Sequence, residues 1–329
     1  FIKILTADNT VDRTFAPTTA NPLGNRNFRG SASDTCTLDG TNNSIVGAIR
    51  HLSLATSVNG VSGDVIYGTD QGSKPKIVGI NTSGECIEVI TNAELGDFRP
   101  LAMEVRTIGG EDHLFASGKV YKNNSGMRKR FYTKNLTTGD TSTCGSDYGG
   151  TLGAVIEKGF DLTVDNSGGF IYYTFGGHIH GFALTQTGNN NKNYCPSDES
   201  RDKLYRHGSN TSHRKAEAIQ VSPDSDSIMY VASSTSNVVQ KVSLTGNDTL
   251  TSVILAGRRK DAENTASAGA LSAAEVNLER PIALFVTSTK VWVSDKKATI
   301  QEFDENKFTE ANIDTSWQAE YGGKKETRF

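Results

Sequence analysis

Two histidines, His178 and His180, flank one isoleucine in the run Gly176-Gly177-His178-Ile179-His180-Gly181. On an extended strand, a spacing of two places both imidazoles on one face, as a metal site requires. A complete site needs a further ligand, and His51, His113, His207 and His213 stand at no spacing that nominates one. Two polar residues on the outer face of a strand is the plainer account of the pair. Acidic residues gather at Asp161 and in two turn-like stretches, Asp165-Asn166-Ser167-Gly168 and Pro223-Asp224-Ser225-Asp226. Asp and Asn favour such turns because their side chains bond nearby backbone, and neither stretch matches a DxDxDG calcium loop. No GxSxG elbow, HExxH pair or phosphate-binding glycine loop occurs, and no serine or cysteine has a base placed to activate it. Catalysis therefore has no local motif behind it.

The four cysteines permit two disulfides in three connectivities. Cys86, Cys144 and Cys195 each stand at or just before the outermost expected strand of a repeating unit set out below, and Cys36 precedes the first unit. That recurrence favours rim disulfides Cys36–Cys86 and Cys144–Cys195 over four buried free thiols. Acceptor triplets for N-glycosylation begin at Asn42, Asn81, Asn123, Asn135, Asn210 and Asn247. In a chain this rich in Asn, Ser and Thr, several would arise by chance, so only the set is informative. The chain starts at Phe1 without an initiator methionine, which reads either as an excised piece or as a mature secreted product. The joint expectation is an extracellular, disulfide-bonded glycoprotein.

The elements that must position these residues are short strands. The chain has 329 residues, of which 36% are hydrophobic, with 33 glycines against 7 prolines and a mean hydropathy of -0.42. Glycine supplies the positive-φ turns of hairpins, so this balance suits many short strands with polar loops. The net charge is -3, which argues against a nucleic-acid binder, since that needs a basic face to displace phosphate counterions. The clusters Arg128-Lys129-Arg130 and Arg258-Arg259-Lys260 read as solvated loops. No apolar run approaches the roughly 20 residues of a membrane-crossing helix.

A repeat organises the chain. Five short apolar runs place an aromatic third: Val65-Ile66-Tyr67, His113-Leu114-Phe115, Phe170-Ile171-Tyr172, Ile228-Met229-Tyr230 and Lys290-Val291-Trp292. Before each stands an alternating run: Leu52-Ser53-Leu54, Met103-Glu104-Val105, Leu162-Thr163-Val164, Ile219-Gln220-Val221 and Leu284-Phe285-Val286. Alternation with a period of two marks a half-buried strand. A third strand follows in each unit, such as Ile77-Val78-Gly79-Ile80, then in several a glycine-bearing turn (Gly84, Gly139, Gly188, Gly246) and a fourth strand. The expected fold is all-β: a β-propeller of four-stranded antiparallel blades, with five modules evident and five or six blades in total. A sandwich gives no reason for the aromatic to recur at one module position, whereas a propeller packs the same blade face each time. The modules span about 45–92, 98–146, 159–196, 216–256 and 280–305, in one domain over 1–329.

The run Leu278-Glu279-Arg280-Pro281-Ile282-Ala283-Leu284, preceded by Leu255-Ala256-Gly257, resembles the lead into a blade of the NHL-repeat family. Val291-Trp292-Val293-Ser294-Asp295 and Ile300-Gln301-Glu302-Phe303-Asp304 resemble its next two strands, and Arg99-Pro100-Leu101-Ala102 repeats the lead earlier. The resemblance is strongest over 255–304 and implies a six-bladed ring. Among NHL-like propellers, the peptide-amidating lyases hold histidine-bound zinc, and lactonase-type propellers hold calcium in the tunnel by scattered ligands. The resemblance thus offers a metal-dependent enzyme as an alternative, with His178 and His180 as the zinc candidates.

Five evident modules leave the ring's closure open. Ile2-Lys3-Ile4-Leu5-Thr6 is one candidate for the outer strand of the last blade, making 1–44 a closing strand with a long lead-in loop and 306–329 a tail. Alternatively, both chain ends build a partial blade, or a terminal strand pairs with another copy. The expectation for function is a secreted, non-catalytic propeller contacting protein or glycan ligands, including copies of itself, with no resident cofactor.

Overall fold

Apolar alternation settles into strands because extended backbone sends successive side chains to opposite faces. The computed structural model describes residues 2–5, 11–15, 49–70, 75–81, 86–96, 98–120, 131–144, 150–175, 178–187, 193–197, 203–205, 216–235, 237–244, 251–256, 278, 280–295, 300–304 and 327–328. Two compact units are distinguished: Phe1–Gly159 with Thr185–Cys195, and Phe160–Leu184 with Pro196–Phe329. Each is described by itself.

The first unit opens with a hairpin, β1 (Ile2–Leu5) and β2 (Val11–Phe15), which forms a two-stranded sheet. The first module is β3 (Ile49–Ala55), β4 (Val65–Asp70), β5 (Lys76–Asn81) and β6 (Cys86–Ile90), paired in that order. The second is β7 (Phe98–Ile108), β8 (Glu111–Val120), β9 (Phe131–Asn135) and β10 (Thr141–Thr143), again in order. Gly109 and Gly110 join β7 to β8 with φ of 62° and 86°. Both values are positive, as a two-residue hairpin turn of the favoured twist demands.

Helix α1 (Gly150–Lys158) follows and packs on β8. It interrupts a chain expected to be all strand, at a place outside the repeat. Leu152, Val155 and Ile156 are buried, at helical spacing on one face. Lys158 sits in the last turn, where the helix dipole favours a cation. The Gly159 N–H closes the end on the Val155 carbonyl at 2.7 Å.

The third module is β11 (Leu162–Val164), β12 (Phe170–Phe175), β13 (His178–Thr187) and β14 (Asn193–Pro196), with β15 (Lys203–Tyr205) also pairing β13. Its fourth-strand position is thus divided between two short strands. The fourth module is β16 (Ala216–Ser222), β17 (Ser225–Ser233), β18 (Val238–Ser243) and β19 (Thr251–Ala256). The fifth is β20 (Pro281–Val286), β21 (Lys290–Asp295) and β22 (Ile300–Asp304), three strands among the described residues. A two-residue strand, β23 (Thr327–Arg328), adds in parallel to the edge of β19.

The architecture is all-β: successive antiparallel meanders, four-stranded where complete, of the kind from which propeller blades are made. β1 pairs β2, with Ile2 opposite Phe15.

The recurrent aromatics are core residues. Tyr67, Phe115, Tyr172 and Tyr230 are buried, and Trp292 is half-buried. Opposite Tyr67 stands Gly79, where an added Cβ would meet the tyrosine ring at 2.8 Å. In the first unit, one cluster spans modules one and two, including Val65, Tyr67, Ile77, Met103, Val105 and Leu114. In the second unit, one cluster joins modules three and four around Ile219, Val221 and Met229. Another joins modules four and five around Tyr230, Val239, Leu255 and Val291. Within each unit, neighbouring modules therefore bury apolar faces against one another, as a repeat architecture requires.

Candidate functional site

The first strands of neighbouring modules lie side by side: β3 by β7 in the first unit, and β11 by β16 and β16 by β20 in the second. They share no backbone ladder, so their edge N–H groups need other partners. The middle residue of each alternating triplet supplies one. Ser53 Oγ accepts the Val105 N–H at 2.8 Å, Thr163 Oγ1 accepts the Val221 N–H at 3.0 Å, and Gln220 Oε1 accepts the Val286 N–H at 2.8 Å. In every case, the middle residue of one triplet serves the third residue of the next. This role was legible in the sequence as a polar residue inside an apolar run, but only the packing shows what it bonds.

Carboxylates do similar work. Asp112 Oδ2 accepts N–H bonds from Thr56 at 2.6 Å and Ser57 at 2.9 Å, and Thr107 Oγ1 donates to its Oδ1 at 2.6 Å. Asp161 Oδ2 takes the Ile219 N–H at 2.9 Å. Asp226 Oδ1 takes the Asn166 N–H at 2.6 Å, and Asp165 Oδ1 takes the Gly169 N–H at 2.7 Å. The turn chemistry expected for 165–168 is present, and 161–166 also reaches into the fourth module. Burial, with a smaller push from Asp226, holds the Asp165 carboxyl above its ordinary value.

Across modules one and two, Lys134 pairs with Glu88 Oε1, while the Tyr67 hydroxyl donates to Glu88 Oε2 at 3.1 Å. Burial first, and then the Glu88 charge, raise the Tyr67 hydroxyl above the usual phenol range, and Tyr132 is raised by the same two causes. Neither tyrosine is poised to act as a base near neutrality.

His180 is buried on β13, opposite Tyr173, with the Phe175 ring centroid at 6.0 Å. The expectation of an outer-face histidine is therefore corrected: the sheet packs on both sides here, so strand alternation does not separate water from core. His178 lies two positions earlier on β13, and its side chain is outside the described residues. Among the described residues, no three His, Cys, Asp or Glu side chains gather as metal ligands.

Cys144, just beyond β10, and Cys195, on β14, form a disulfide with Cα atoms 5.4 Å apart. Cys86 is also disulfide-bonded, and Cys36 is outside the described residues. The Cys144–Cys195 bond is buried, and Cys144 Sγ lies 3.5 Å from the Tyr194 carbonyl. The Tyr194 ring meets His113 edge-on at 5.0 Å and Phe115 at 6.2 Å. His113 is 2% exposed, its Nδ1 has no hydrogen-bond partner among the described residues, and burial lowers its affinity for a proton.

Of the glycosylation candidates, Asn42, Asn123, Asn210 and Asn247 fall outside the described residues, as do the two basic clusters. Asn81 ends β5 and is half-buried. Asn135 corrects the expectation. It is fully buried, its Nδ2 donates to Glu111 Oε2 at 2.6 Å, and its Oδ1 accepts the Thr138 N–H at 3.0 Å. A side-chain nitrogen so placed has no room for a glycan.

Large apolar side chains reach solvent at Leu52 and Leu54 on β3, at Ile282 and Phe285 on β20, and at Phe160. Leu52 is 49% exposed and Leu54 42% exposed, whereas the matching Met103 and Ile219, and Val105 and Val221, are buried. The middle position of the fifth triplet is thus an exposed phenylalanine where other modules place a bonding polar group. Its ring lies 5.5 Å from that of Trp292.

No family model matches the chain, and no curated protein matches it. Among solved structures, it is similar to a chain of a nidogen/laminin complex, at 11% identity over 78% of this chain and 75% of that chain, with a TM-score of 0.42.

Proposed function

We propose that this chain is a non-catalytic β-propeller that works outside the cell as a protein-contacting scaffold. One observation carries the reading. The well-placed polar side chains, Ser53, Asp112, Asp161, Thr163 and Gln220, bond the backbone of a neighbouring module. Their hydrogen-bonding atoms are taken up in holding neighbouring modules together. The apolar side chains left in water at β3 and β20 offer the kind of surface that protein partners cover. The disulfides fit an oxidising compartment.

The test is binding of the purified chain to a panel of extracellular proteins and to a glycan array. The expected result is saturable binding to a protein, weakened about tenfold or more by Ile282→Asp or Leu52→Asp, as loss of one buried apolar contact predicts. Stoichiometric bound metal together with turnover of a peptide or lactone substrate overturns the reading in favour of the enzyme.

A further inference from the structure

We infer that Tyr194, held between His113 and the Cys144–Cys195 disulfide, is an acid-sensitive cover that controls whether that disulfide can be reduced. Cys144 is 1% exposed and Cys195 7%, so a reductant reaches the bond only if something moves. The backbone carbonyl of Tyr194 lies against Cys144 Sγ, and its ring packs edge-on to His113 at 90°. The cover is one residue, touching the disulfide with its backbone and the histidine with its ring.

His113 is built to be neutral. It is buried, and its Nδ1 would gain a proton with no acceptor among the described residues. The groups around it do not rescue the cation. From β7, Arg106 stands directly across, with Glu104 two pairs further along and 3.7 Å from the Arg106 guanidinium. From β8 itself, Glu111 and Asp112 attract it, but less than burial costs. Those two carboxylates already accept bonds from Asn135 and from Thr56, Ser57 and Thr107. From β9 the facing residue is the neutral Asn135, from β14 it is Tyr194, and from α1 the described charge is the exposed Lys158. A protonated His113 must therefore reach water, and that movement disturbs the Tyr194 ring packed on its edge.

The chemistry is two-electron reduction of the disulfide by an external phosphine. Phosphorus attacks one sulfur and the S–S bond breaks; water then supplies the two thiol protons of Cys144 and Cys195 and the oxygen of the phosphine oxide. Protonation of His113 only changes access. Because opening takes up one proton, the open fraction rises about tenfold per pH unit below the histidine's ordinary 6.5, until its lowered value in the closed state is reached.

The test measures reduction of the intact chain by a water-soluble phosphine between pH 8 and pH 4.5. Each rate is divided by that of a small-molecule disulfide under the same conditions, and the bonds are identified by mass mapping. The expected result is a Cys144–Cys195 rate that climbs about tenfold per unit over part of this range, while the Cys86 disulfide keeps a flat relative rate. In His113→Phe, which keeps an aromatic ring and removes the titration, the climb disappears; His113→Gln serves the same purpose if the phenylalanine variant does not fold. A flat relative rate in the wild-type chain, an equal climb in the variants, or a parallel climb at Cys86 from global unfolding overturns the inference.

Discussion

The carboxamide of Gln220 on β16 grips the backbone of Val286 on β20, accepting its N–H at 2.8 Å and donating to its carbonyl at 3.5 Å. A side-chain amide carries the same donor and acceptor as a peptide group, so it continues hydrogen bonding where the sheet stops. Gln220→Leu should leave the Val286 N–H without a partner and cost about 1–3 kcal/mol. The urea midpoint of the variant against wild type measures it, and an unchanged midpoint would show that the bond contributes nothing.

Removing the Cys144–Cys195 bond should be costlier. The two residues are 51 apart in sequence, and a crosslink over a loop of that size restricts the unfolded chain by about 4 kcal/mol. Cys144→Ser with Cys195→Ser should therefore unfold at clearly lower denaturant than wild type, and adding reductant to the double variant should not lower the midpoint through this bond.

Asp165 gives a pH signature of definite sign. Its folded value lies above the ordinary 3.8 because burial opposes ionisation. Its contribution to stability is therefore full below that ordinary value and is lost as pH rises through the folded value. Asp165→Asn keeps an oxygen for the Gly169 N–H and cannot ionise. It should match wild type near pH 3 and be more stable at pH 7, as read by thermal unfolding at both pH values.

Glycan mapping should find Asn135 unmodified. Its amide is enclosed and bonded to Glu111 and Thr138, so Asn135→Ala should cost about 1–3 kcal/mol through the groups it abandons. A glycan found on the Asn135 peptide of folded material would contradict the burial described for this residue.

Gly79 should resist any side chain. A Cβ there meets the Tyr67 ring, and overpacking a fitted core costs about 1–3 kcal/mol. Gly79→Ala should lower the melting temperature, and pairing it with Tyr67→Leu should recover part of the loss.

Much of the fold was legible because it depends on local pattern. The five aromatic-third runs lie on the second strands of their modules, and the five triplets on the first strands. Helix α1 was not, since its apolar spacing covers only nine residues between two strand modules. His180 was misplaced for a different reason: a polar residue on a strand looks outward unless both sheet faces are known to be covered. Asn135 shows the same limit, because its acceptor triplet is written in three residues while its enclosure by Glu111 and Thr138 is not.

The sequence by itself determined the strand modules, since alternation and aromatic placement are short-range properties that each module carries alone. It also placed the cysteines near module edges, which favoured the pairing Cys144–Cys195. Only the tertiary structure decided what the polar residues inside those modules do. Ser53, Thr163 and Gln220 differ in type and share no motif, yet each meets a backbone N–H from the following module. Such a role is set by which strand edge lies opposite, and that distance is fixed by packing between residues more than fifty positions apart.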